Sequence, residues 1–120
     1  MFPANFGYVA PRSIDEALQL LKQHGEDAKL LAGGHSLLPA MKLRLASPRT
    51  LIDLGTVPGL SGVRSEDNNL VIGALTVHAD VGSSDLVRKH FPGLVDAASV
   101  IGDVQVRNCG TIGGSVAHAD

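Results

Sequence analysis

The stretch from Ala28 to Leu54, AKLLAGGHSLLPAMKLRLASPRTLIDL, decides the fold. Ala28 to Ala32 is a short apolar run and predicts a strand. Gly33, Gly34, His35 and Ser36 break it. Leu37 to Leu45 then reads as a helix, with Pro39 in the first turn, where a missing N–H costs little. Ser47, Pro48 and Arg49 make a turn, and Thr50 to Leu54 predicts a second strand. Strand, helix and strand in this order give parallel strands joined by a right-handed crossover.

Upstream, Met1 to Val9 carries no charged side chain and reads as extended, interrupted by Pro3 and Gly7 and followed by Pro11. A helix follows. Ser13 caps it, and Glu16 three residues later completes a capping box. Ile14, Ala17, Leu18 and Leu21 make one apolar stripe. Asp15 and Glu16 lie at the positive end of the helix dipole, Lys22 and His24 at the negative end, and Gly25 supplies a left-handed stop.

Downstream, residues 55–62 hold Gly55, Pro58, Gly59 and Gly62, and this is where a boundary is expected. Leu60 to Arg64 and Leu70 to Ala74 flank Glu66, Asp67, Asn68 and Asn69 as a hairpin. Three short helices are expected next: one capped by Thr76, one capped by Ser84 over Asp85 to His90, and one opened by Pro92 and running to Ile101. Gly102 to Asp120 reads as a loop carrying Gly110, Gly113 and Gly114. A glycine-rich loop so close to the last residue is unlike a finished domain edge, so an N-terminal part of a longer protein is expected.

Composition narrows the function classes. The chain has 120 residues, 44% of them apolar and 18% charged, as a globular chain does. The net charge of -2 speaks against a nucleic-acid or anionic-membrane surface. Cys109 is alone, which excludes a disulfide, a thiolate iron–sulfur centre and a multi-cysteine zinc site within this chain. His24, His35, His78, His90 and His118 show no metal-ligand spacing, so no metal site is expected. No apolar run approaches the ~18 residues a membrane helix needs. The first basic residue is Arg12, so the charged head of a secretory signal is missing. The expectation is a soluble, cytoplasmic protein.

Two segments stand out for chemistry: Ala32-Gly33-Gly34-His35-Ser36 and Thr111-Ile112-Gly113-Gly114-Ser115. Paired glycines let the backbone approach a ligand closely, and successive N–H groups in such a bend make an anion nest. One such bend holds one phosphate; two converging bends hold a diphosphate. Ser36, Thr111 and Ser115 add hydroxyl donors, and Arg107 can pair with a phosphate or a carboxylate. Neither a P-loop lysine nor a G-x-G-x-x-G opening is present. Three readings stay open on the residues alone. The glycine pairs are tight turns, or they bind phosphate, or Gly34-His35-Ser36 is a nucleophile elbow, with Leu38 where that motif has its last glycine and Ser36 as the nucleophile of a serine hydrolase.

Taken together, Ala32 to Pro39 and Gln105 to Ser115 resemble the FAD-binding subunits of molybdenum hydroxylases, most of all those of the carbon monoxide dehydrogenase type, with xanthine and nicotinate dehydrogenase types as relatives. Phe6, Tyr8 and Ser13 to Leu18 also match the start of that family, and the resemblance covers essentially the whole chain. It implies an α+β fold, the N-terminal portion of a vanillyl-alcohol oxidase/para-cresol methylhydroxylase-type FAD-binding domain. Residues 1–55 form the small lobe with its strand–helix–strand unit, and 56–120 begin a second, truncated lobe, with FAD between the lobes. The resemblance further implies that Ala32, Gly33, Gly34, His35, Ser36, Thr111, Ile112, Gly113, Gly114 and Ser115 hold the FAD diphosphate. Family members often carry Asn or Asp where this chain has Ser115. The implied partners are a molybdopterin large subunit and a 2Fe-2S small subunit in a hetero-oligomer. The implied task is to take electrons from the iron–sulfur centres through FAD to an acceptor, with no acid, base or nucleophile in this chain.

Overall fold

A computed structural model describes residues 2–119, so Met1 and Asp120, the ends of two stretches named above, lie outside the described residues. The chain forms two compact units, Met1–Pro58 and Gly59–Asp120.

In the first unit, β1 (Gly7–Val9), β2 (Ala28–Leu31) and β3 (Thr50–Asp53) form a parallel sheet in the order β1-β3-β2. Two helices connect them: α1 (Ile14–His24) and α2 (Leu37–Lys42). The expected strand–helix–strand unit is β2, α2 and β3. Neighbouring side chains on a strand point to opposite faces. Leu51 and Ile52 are both fully buried, so β3 is covered on each side. On one side Ile52 packs with Ala17 and Ala28, joined by Val9, Leu20, Leu21 and Leu54.

The α1 cap forms as Ser13 Oγ accepts the Glu16 N–H at 3.1 Å. The return bond differs from a standard capping box: the Glu16 carboxylate accepts from the Arg12 N–H, one residue earlier, at 3.0 Å. The packed stripe is also rotated. Ala17, Leu20 and Leu21 face the sheet, whereas Ile14 and Leu18 are more than half exposed. Both sets satisfy helical spacing, and contact with Ile52 selects between them. Gly25 has φ +56° but ψ -132°, so it ends α1 and turns into a single 3-10 turn, Gly25–Asp27, rather than forming a left-handed cap. Helix α2 stops three residues short of the expected Leu45, because Arg44 takes a left-handed φ of +57°. Tyr8 Oη on β1 donates to the Asp53 carboxylate at the end of β3, and the other carboxylate oxygen accepts from the Gly55 N–H at 2.8 Å.

In the second unit, β4 (Val63–Glu66) and β5 (Asn69–Ile72) pair antiparallel. Their two-residue turn, Asp67-Asn68, has φ +49° and +63°, the primed geometry that suits a twisted hairpin. Five short helices follow: α3 (His78–Ser83), α4 (Asp85–His90), α5 (Pro92–Ser99), α6 (Val104–Cys109) and α7 (Ile112–His118). Val81, Val87, Val95 and Ala98 are the core, packed against Val63, Leu70, Ile72 and Leu94. Ser84 caps α4 and Pro92 opens α5 as expected, although α5 ends at Ser99.

Two expectations for this unit are corrected. Thr76 does not cap α3. It is buried, and its hydroxyl accepts from the Gly62 N–H at 2.9 Å and donates to the Gly62 carbonyl at 3.2 Å. Residues 102–120 are not a loop but hold α6 and α7, capped by Asp103 and Thr111. Among the described residues no helix is long and apolar enough to cross a membrane.

Tyr8 is the sole tyrosine, so tyrosinate absorbance reports it alone. Its bond to Asp53 raises its pKa above the ordinary 10.0, with desolvation and the Asp53 charge acting in the same direction. The folded state therefore holds this proton more tightly than the unfolded state. Its stabilising contribution is complete below the unfolded pKa and fades as pH rises through the folded one. In a spectrophotometric titration Tyr8 should ionise late, and Asp53→Asn should return it toward the ordinary value. An identical midpoint in both proteins would contradict the interaction.

Candidate functional site

The first glycine pair sits where the parallel strand β2 ends and α2 begins. Ligands of parallel sheets bind outside the carboxyl ends of the strands. Gly34 has φ +79°, a conformation side chains rarely adopt. A Cβ there would also stand 2.9 Å from Leu38 Cδ1 and 3.3 Å from Leu31 Cδ1. The Gly34 and Ser36 carbonyls accept from the Leu38 and Ala40 N–H groups at 3.0 and 3.2 Å, which starts the helix. The N–H groups of Gly33, Gly34, His35 and Ser36 donate to no protein acceptor among the described residues. His35 and Ser36 are exposed. Four consecutive unengaged donors on a backbone lacking two Cβ atoms fit a polyanion such as a diphosphate.

The second glycine pair is built differently. Val77 and Thr111 form an antiparallel bridge. Around it the His78 N–H donates to the Gly110 carbonyl at 3.0 Å, the Ile112 N–H to Thr76 O at 3.0 Å and the Gly113 N–H to Ala74 O at 2.8 Å. Thr111 Oγ1 accepts the Gly114 N–H at 3.0 Å, and Thr111 O accepts the Ser115 N–H at 3.1 Å. The anion nest expected over Thr111 to Ser115 is therefore not formed, because every amide from Ile112 to Ser115 is already engaged. The glycines answer to packing instead. A Cβ on Gly113 would lie 2.6 Å from Ala74 O, and one on Gly114 would lie 2.8 Å from Thr111 Oγ1. What this segment presents outward is its side chains, Ser115 foremost, which is exposed.

Ser115 has a partner that sequence reading passed over. His78 Nε2 lies 3.0 Å from Ser115 Oγ, across 37 residues of sequence, and His78 is 5% exposed. No spacing signal links the two residues; only the Val77–Thr111 bridge brings them together.

The remaining candidates resolve simply. Arg107 donates to the Ile101 and Gly102 carbonyls at 3.2 and 3.0 Å, a backbone-tying role rather than an ion pair. Cys109 is exposed. Ser36 Oγ has no hydrogen-bond partner among the described residues, and the histidine–serine pair present is His78–Ser115. The nucleophile-elbow reading of Ser36 thus lacks a base.

Comparison with known proteins places the chain. The family described as FAD binding domain in molybdopterin dehydrogenase matches residues 4–120. The carbon monoxide dehydrogenase medium chain of Hydrogenophaga pseudoflava is 57% identical over 118 residues, 98% of this chain and 41% of that protein. The xanthine dehydrogenase FAD-binding subunit of Escherichia coli O157:H7 is 31% identical over 112 residues, 92% of this chain and 38% of its own length. The solved structure of carbon monoxide dehydrogenase from Hydrogenophaga pseudoflava lacking the Mo-pyranopterin moiety superimposes with a TM-score of 0.98 at 57% identity, covering 100% of this chain and 42% of that one. The chain thus spans about 41% of the length of the medium chain it matches. These relatives are FAD-binding and dehydrogenase subunits, and they give the serine hydrolase alternative no support.

Packing against Ala74 makes Gly113 a structural position. Gly113→Ala should lower unfolding stability by roughly 1–3 kcal/mol, the usual cost of overpacking. Denaturant unfolding with the wild-type midpoint would contradict that assignment.

Proposed function

The chain belongs to the family of FAD binding domains in molybdopterin dehydrogenases, and from that premise we propose that it is the part of an electron-transfer subunit that grips the FAD diphosphate. The observation that carries this reading is the run of four unengaged N–H groups from Gly33 to Ser36. Bound FAD supplies reversible electron transfer; this chain's residues bind and orient it. Ala32, Gly33, Gly34, His35 and Ser36 contribute backbone donors to phosphate oxygens, with the Ser36 hydroxyl beside them. Thr111, Ile112, Gly113, Gly114 and Ser115 contribute as a pre-built edge, with Gly113 and Gly114 packed against Ala74 and Thr111, and through the Ser115 hydroxyl.

In the whole protein, electrons pass from 2Fe-2S centres of a small subunit, fed by a molybdopterin large subunit, through FAD to an acceptor. The naming of the 57% identical relative as a medium chain of carbon monoxide dehydrogenase supports this multi-subunit reading. A cytoplasmic location is part of the same proposal. Residues 1–55 and 56–120 act as the small lobe and the beginning of the second lobe of the FAD-binding domain.

Gly33→Val tests the reading. The bulky side chain crowds the donors without removing any of them, so the full-length subunit should fold but retain less than roughly a tenth of its FAD, given the usual strength of hydrogen bonds to charged groups. Acid-released flavin per protein is the measurement. Wild-type flavin content in a folded Gly33→Val protein would sink the proposal.

A further inference from the structure

We propose that His78 is a positioning residue for FAD: its ring fixes the direction of the Ser115 hydroxyl so that this hydroxyl donates toward the FAD diphosphate. The inference rests on the reading of Ser115 as a flavin contact and names what makes that contact effective. Serine is both donor and acceptor, so its proton follows its neighbours. If Ser115 donates to His78, its oxygen turns lone pairs toward solvent, and an anion is repelled. If His78 Nε2–H donates to Ser115 Oγ, the hydroxyl proton is released outward, and an anion is bound. Only the second arrangement serves a diphosphate.

The structure holds the ring tightly. The His78 N–H is anchored on the Gly110 carbonyl at 3.0 Å, and the ring is 3.0 Å from Ser115. Along the same Cδ2–Nε2 edge the ring lies against Gly110, where an added Cβ would come within 3.1 Å of His78 Cδ2 and 3.4 Å of Nε2. Gly110 has φ -62° and ψ 137°, open to any residue, so its lack of a Cβ answers to close neighbours, the His78 ring and the Val106 carbonyl, which a Cβ would also meet at 3.1 Å. The ring is buried and Ser115 is exposed, so the pair carries a fixed donor from the interior to the surface. No charged side chain is required, and no proton changes owner in the bound state.

The test is a double-mutant cycle on FAD affinity, read by flavin fluorescence on the deflavinated full-length subunit. Ser115→Ala and His78→Leu should each weaken FAD by roughly tenfold. The two together should weaken it no more than either alone, because both remove one outward-facing donor. His78→Gln, whose amide N–H can replace Nε2–H, should bind nearly as wild type. Gly110→Ala, which displaces the ring, should weaken binding only while Ser115 is present, and it carries the test if His78→Leu does not fold. Additive losses in the cycle, or His78→Gln no better than His78→Leu, overturn the inference. So does wild-type affinity in Ser115→Ala; if Gly33→Val has lost flavin in that case, the FAD reading itself stands. Wild-type flavin in both Ser115→Ala and Gly33→Val overturns the reading and the inference together.

Discussion

The short antiparallel bridge between Val77 and Thr111 is the constraint on which the functional face of the second unit depends. It draws Gly110, Ile112 and Gly113 onto the backbone of residues 74–78, and their carbonyl and amide groups are consumed there. It also sets Thr111 as the cap of α7 and brings His78 beneath Ser115. Remove that pairing and the glycine pair becomes an ordinary flexible bend. With it, the amides of Ile112 to Ser115 are engaged within the chain, and the segment presents the Ser115 side chain outward. The edge is ordered before any ligand arrives, which spares the binding step that entropy.

The first unit presents its glycine pair in another way. Its middle strand, β3, is buried on both sides and pairs with β1 and β2, so the end of β2 is a fixed point. Immediately beyond it, Gly34 turns with a positive φ and hands the chain to α2. Because a helix start has no carbonyl a turn earlier to accept them, the amides from Gly33 to Ser36 stay unclaimed by protein acceptors among the described residues. One glycine pair therefore offers backbone donors, and the other offers a platform with hydroxyls.

Much of the architecture was legible. Periodic apolar runs and turn residues marked the parallel unit and the Asp67-Asn68 hairpin, because those signals are local. Ser13, Ser84 and Pro92 were likewise readable as helix starts. What escaped was decided by distant contacts. Ile52 chose which stripe of α1 to bury, Gly62 took the hydroxyl of Thr76, and residues 74–78 claimed the amides near Gly113. Helix α7 was hidden because two glycines in its first turn depress its local propensity, while tertiary hydrogen bonds restore it. The two segments named for flavin were visible as motifs, and the family match agrees with the resemblance they carried. The difference between an open nest and an occupied one was not visible, since composition does not reveal which acceptor an amide will meet.

Gly113 shows what that difference means for reading other proteins. Its missing side chain makes room for the Ala74 carbonyl, a neighbour within the same chain. A doubled glycine can thus answer to packing within the scaffold without offering its amides to a phosphate. Searches that score such doublets as phosphate signatures count two different physical demands as one, and only tracing each amide to its acceptor tells them apart.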